Sequence, residues 1–132
     1  MTAPLATALY AAILGLLAVI LTVNVIRNRV VLKIDSGDGG NAKMGMVIRA
    51  HANFAQHAPL ALLLIGIAEA IGTGKTVIHV LGAALVLARL LSAWGLSSVE
   101  GPSFGRQAGA GLTVLVLAAA SVLILLRWSG VM

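Results

Sequence analysis

The sequence predicts an all-α membrane protein, a single bundle of four transmembrane helices. Three observations carry that expectation. The 132 residues are 60% hydrophobic and 10% charged, whereas soluble domains are roughly half apolar and about a quarter charged. The apolar residues gather into four runs, each close to the ~20 residues that carry a helix across a ~30 Å hydrocarbon core. The segments between them are short and hold most of the charges. No strand-like alternation, internal repeat or low-complexity tract competes with this pattern. At this length there is room for one domain. The absence of cysteine removes disulfides, a cysteine nucleophile and thiolate metal sites.

The first run covers about 5–26 without a charge and ends in Val25-Ile26-Arg27-Asn28-Arg29. A cleaved signal peptide would want a basic start and a shorter apolar stretch. No Lys or Arg precedes Leu5, so the run is expected to be a retained helix stopping at an interface. A polar segment follows. Its centre, Ser36-Gly37-Asp38-Gly39-Gly40-Asn41, has turn chemistry, with glycine for positive φ and Asp or Asn to bond the local backbone. The second run covers about 46–71, and its first half is unusually polar. After Gly72-Thr73-Gly74-Lys75 come a third run at about 76–96 and a fourth at about 108–127, closed by the interfacial pair Arg127 and Trp128. Gly105 and Gly109, four apart, would let helices approach closely.

Charge gives orientation and excludes one partner class. The net charge is +5, but the basic residues flank apolar runs as membrane-edge charges do, so nucleic acid is not expected. Arg27, Arg29, Lys33, Lys43 and Arg106 sit in the loops after the first and third runs, against Lys75 and Arg127 on the other side. The positive-inside rule then puts both termini outside and loops 27–45 and 97–107 in the cytoplasm; an inner-membrane location is expected.

The chemistry concentrates in the second run. Arg49, Asn53, Gln56 and His57 fall at i, i+4, i+7 and i+8, one helical face. Polar groups in lipid cost several kcal/mol unless partnered, so this face must meet the bundle, a subunit interface or a wet cavity. The bland alternative is that Arg49 snorkels to the headgroups and the amides join helices. Arg89, deep in the third run, needs an acceptor or an anion. Glu69 is expected near an interface, pairing with Lys75 or His79. His51 and His57 are six apart and do not share a face as a helical i, i+4 metal pair would, so no metal site is expected.

Arg49-x-His51-x-Asn53-x-x-Gln56, followed by Pro59 and a leucine-rich run, resembles the MAPEG family, the membrane-associated proteins of eicosanoid and glutathione metabolism, and in particular its small bacterial members. Val25-Ile26-Arg27, Gly37-Asp38-Gly39-Gly40 and Arg89-Leu90-Leu91 agree with that resemblance, which covers most of the chain. It implies a four-helix protomer assembling as a homotrimer, with glutathione as co-substrate bound between protomers in the cytoplasmic half. By position it assigns Arg49, Asn53 and Gln56 to the glutathione stripe, with His51 and His57 beside it. Arg27 or Arg29 would match the arginine contributed from the end of the first helix. Arg106 is the first candidate for the arginine that holds the thiolate, and Arg89 the second.

This set suits the ligand. Arginine binds carboxylates in a planar fork, amides both donate and accept, and a fixed cation lowers a thiol pKa and so raises the nucleophilic fraction. The sequence also departs from the family. Gln56 stands where relatives usually have Glu, Tyr10 is the chain's only tyrosine, and Ser92 and Leu96 occupy third-helix positions where eukaryotic relatives place tyrosines. Two readings follow. One is a glutathione-dependent transferase or peroxidase acting on apolar electrophiles from the bilayer. The other is a non-catalytic protein of the same fold that binds a lipid or a partner. A proton-coupled exporter is disfavoured, because it would want a membrane carboxylate where the first helix offers only Asn24.

Overall fold

The computed structural model describes residues 3–98 and 101–131 and consists of four helices: α1 (Leu5–Leu32), α2 (Ala42–Ala70), α3 (Lys75–Ser98) and α4 (Phe104–Trp128). Residues 99–100, within the loop expected at 97–107, lie outside the described residues. α1, α3 and α4 are each long and apolar enough to cross a membrane. α2 is as long, but Arg49, Asn53, Gln56 and His57 dilute its apolarity. The helices run past the apolar segments that announce them. α1 continues through its charged end to Leu32, and α2 starts at Ala42 rather than 46. Backbone hydrogen bonding carries a helix across an interface that hydropathy alone marks as its end.

Local chemistry sets the ends. α1 stops where Lys33 turns left-handed at φ 55°, its N–H and that of Ile34 reaching back to Val30 and Arg29 carbonyls. The loop then turns on Gly37, Gly39 and Gly40, all at positive φ. The Asn41 side chain caps α2 by accepting from the Met44 N–H at 3.0 Å, and Ser103 caps α4 by accepting from the Arg106 N–H at 3.3 Å.

α2 and α3 form the shared centre of the bundle. α1 lies against one side of the pair, α4 against the other, and α1 and α4 do not meet. The core between them is Leu14, Ile65, Ile78, Leu85 and Val116, with Ala61, Ala68 and Ala120 filling the narrow places. α3 and α4 approach most closely along the glycines. A β-carbon on Gly109 would stand 2.7 Å from the Ala88 carbonyl oxygen, and one on Gly105 would stand 2.8 Å from the Trp94 ring. Gly82 does the same for α1, since a β-carbon there would overlap the Tyr10 ring.

Glu69 corrects the sequence expectation. It is 7% exposed and pairs with neither Lys75 nor His79. Its carboxylate accepts from the backbone N–H groups of Ala6 (2.9 Å) and Thr7 (2.7 Å) and from the Thr7 hydroxyl (2.6 Å). α1 has no side-chain cap of its own at Pro4, so Glu69 of α2 supplies one, an anion at the positive end of a helix dipole. His79 is instead hydrogen-bonded through Nδ1 to the Tyr10 hydroxyl at 2.8 Å.

Candidate functional site

Arg89 lies roughly 20 Å along the axis from the first residue of α3 and roughly 13 Å from the last. It is 2% exposed. Nη1 donates to the Asn53 side-chain oxygen at 2.9 Å and to its carbonyl at 3.4 Å. Nη2 donates to Ser92 Oγ at 3.1 Å, to the Gly109 carbonyl at 3.4 Å and to Thr113 Oγ1. Nε is buried and makes no hydrogen bond. All its partners are neutral. The guanidinium therefore joins α2, α3 and α4 through amide, hydroxyl and carbonyl dipoles. Nothing in the sequence ties Thr113 or Gly109 to Arg89: Thr113 lies one turn beyond Gly109 and is one of two hydroxyl residues, with Ser121, in the fourth apolar run.

The stripe on α2 divides in two. Asn53 turns inward to Arg89. Arg49 and Gln56 are exposed on the flank of the protomer, and neither side chain takes part in a hydrogen bond among the described residues. Arg49 Nη1 and Asp38 Oδ2 each lie 3.5 Å from where a Gly45 β-carbon would stand, so Gly45 leaves room for both. His57 donates from Nδ1 to the Asn53 carbonyl at 2.8 Å, within its own helix. His51 turns toward α1, with Nε2 3.2 Å from Thr22 Oγ1.

The arginines at the loop end have separate surroundings. Arg29 Nη1 donates to the Gly37 carbonyl at 3.1 Å and the Ile34 carbonyl at 3.3 Å, bracing the loop after α1. Arg27, two residues earlier and so ~160° away around the helix, lines a different recess. Arg106, in the first turn of α4, has one side-chain bond, from Nη1 to the Gly101 carbonyl at 3.2 Å. Within one protomer these candidates form no single cluster. The structure brings together Asn53, His57 and Arg89, and leaves Arg49, Gln56 and Arg27 unpartnered on the outside.

The comparisons with known proteins decide the family. The MAPEG family model matches residues 7–126. The chain belongs to the MAPEG family. Among its relatives are the proteins named "Inner membrane protein YecN" in Escherichia coli strains K12 and O6:H1, each 32% identical over 89 residues, covering 67% of this chain and 68% of the relative. The MAPEG assignment makes the four-helix bundle an integral membrane protein. It also gives the α2 stripe a context, that of a membrane protein family of glutathione and eicosanoid metabolism. Two departures from the family pattern acquire a structural meaning. Ser92 is buried at 4% exposure and committed to Arg89, and Leu96 is buried at 5% against Leu21 and Ala50. Neither third-helix position offers a hydroxyl at an open surface.

Proposed function

We propose that this MAPEG protein is a glutathione-dependent membrane transferase or peroxidase that binds glutathione along Arg49 and Gln56, at an interface between protomers of a homotrimer. The observation that carries this reading is the pair of unpartnered polar side chains on α2. Exposed to hydrocarbon they would cost several kcal/mol. A second protomer together with an anionic, hydrogen-bonding ligand would satisfy both. Arg49 would hold a glutathione carboxylate in a bidentate fork, and Gln56 would offer its amide to the peptide or ammonium groups. The positive loop end of the bundle would face the cytoplasm.

Arg106 is the better thiolate partner. Among the described residues its side chain makes one hydrogen bond, to the Gly101 carbonyl, whereas Arg89 would have to break the tie between three helices. In the transferase reaction the thiol proton passes to solvent, and the arginine-held thiolate forms a carbon–sulfur bond as the electrophile's leaving group departs or its ring opens. In the peroxidase reaction two glutathione thiols are oxidised to one disulfide as a hydroperoxide is reduced to an alcohol and water.

The missing acid at Gln56 and the occupied positions of Ser92 and Leu96 favour the second reading, a non-catalytic lipid- or partner-binding protein on the same fold. Calorimetric titration of glutathione into the detergent-solubilised protein separates the two. Saturable binding that Arg49→Ala abolishes, with oligomer size unchanged, supports the first. No heat at millimolar glutathione from folded protein would sink it.

A further inference from the structure

On the opposite flank from Arg49, two adjoining recesses share Asn24, Arg27 and Ser97. One, of about 280 Å³, opens at the loop end between α1 and α2 and takes Lys43 into its wall. The other, of about 490 Å³, runs down the seam between α1 and α3 and is walled by apolar side chains from Leu17 to Leu90 and Trp94. Together they make one groove, polar at its mouth and apolar along its length. We propose that this groove is a binding site for an anionic glycerophospholipid of the surrounding bilayer, its phosphate at Arg27 and Lys43 and one acyl chain along α1 and α3.

Charge complementarity supports that occupant. Neither the Arg27 nor the Lys43 side chain takes part in a hydrogen bond among the described residues, and none of the described residues that line the two recesses is a carboxylate. Asn28, 7% exposed, also faces the mouth. Its Nδ2 donates to the Asn24 carbonyl at 2.8 Å and to the Asn24 side-chain oxygen at 2.9 Å. That pairing occupies the Asn24 acceptor and leaves its amide N–H groups available. The mouth is therefore rich in donors, which matches a phosphate. Asn28 Oδ1 remains as an acceptor, suited to a headgroup hydroxyl. A zwitterionic headgroup would bring its own ammonium close to two cations, so the site disfavours it.

The dimensions fit one leaflet. Ten residues separate Leu17 from Arg27, roughly 15 Å of helix, half of a ~30 Å hydrocarbon core. Trp94, 62% exposed beside the groove, is an amphipathic ring of the kind that collects near headgroups. On α2, Lys43 and Val47 point roughly 120° or more away from Arg49 and Gln56. The groove is thus separate from the stripe of Arg49 and Gln56; of the two α1-end arginines that the family resemblance offers to glutathione, it takes Arg27 and leaves Arg29, which braces the loop.

The test uses the full chain in a neutral detergent and counts bound lipids by native mass spectrometry during titration. Phosphatidylglycerol is expected to bind saturably and at least tenfold more tightly than phosphatidylcholine of the same chain length. Arg27→Gln with Lys43→Gln should weaken it by tenfold or more. Lys33→Gln with Lys75→Gln, an equal loss of charge elsewhere, should change it less than twofold. Trp94→Ser should weaken the lipid while leaving its selectivity. Equal binding of the two lipids, or an equal loss in both double variants, would overturn the proposal in favour of unspecific attraction. Displacement of the lipid by equimolar inorganic phosphate would reduce the site to a free-anion site. Dissociation of the oligomer by Arg27→Gln with Lys43→Gln would assign the groove to a second copy of the chain.

Discussion

The two ends of this bundle treat polar groups in opposite ways. At the end holding the termini and the Gly72 turn, several polar side chains find partners within the protomer: Glu69 with α1, Tyr10 with His79, and Arg127 with the Gly72 carbonyl at 3.0 Å, although Thr73 Oγ1 and Arg127 Nε are buried without one. At the loop end, among the described residues, the side chains of Arg27, Lys43 and Arg49 take no part in hydrogen bonds and that of Arg106 makes one. Arg89 lies between and is almost wholly engaged. In a membrane a satisfied polar group joins helices, and an unsatisfied one waits for something outside the protomer. The contrast supports the proposal that ligands bind at the loop end, while the other end holds the helices in register.

Five substitutions at four positions test that contrast, in descending order of their effect on stability. Arg89→Ala should be the most damaging, costing about 3 kcal/mol, because it strands Asn53, Ser92 and Thr113 inside the bundle. Chemical denaturation in detergent measures it. Arg89→Lys should recover only part of the loss, since an ammonium cannot span α2 and α4 as a guanidinium fork does. Gly109→Ala should cost about 1–3 kcal/mol by forcing α4 away from Ala88 and Ser92, seen as a lowered Tm. Glu69→Gln keeps the shape but loses the charge at the α1 terminus, and should cost about 1 kcal/mol while leaving glutathione binding intact. Arg49→Ala should leave stability within about 0.5 kcal/mol yet abolish glutathione binding. If Arg49→Ala instead unfolds the protein, or Glu69→Gln removes binding, the division between the two ends fails.

Much of this was visible along the chain. Four apolar runs separated by charge and glycine dictated four helices, because a backbone in hydrocarbon must satisfy its own hydrogen bonds. The loop at 36–41 and the small-residue approach at Gly105 and Gly109 followed from local chemistry in the same way. The polar face of α2 was legible as a face, because 3.6-residue periodicity is a property of one helix. Its division was not. Asn53 turns inward only because Arg89, 36 residues later, stands opposite it. Glu69 looked like an interfacial acid because its partners, Ala6 and Thr7, are 63 and 62 residues earlier and, apart from the Thr7 hydroxyl, are backbone donors that every residue type but proline carries. Lys43 gave no sign that it would share a recess with Arg27.

The sequence by itself thus determined the solvent, the number of helices, the local caps of α2 and α4 and the residue types available for chemistry, all of which depend on neighbours within a few turns. The tertiary structure alone decided which polar groups are spent on one another and which are left unpartnered within the protomer. That division depends on how helices distant in sequence are rotated and packed, and the rotation is set by side-chain volume at a few crossings, such as Gly82 against Tyr10 and Gly109 against Ala88.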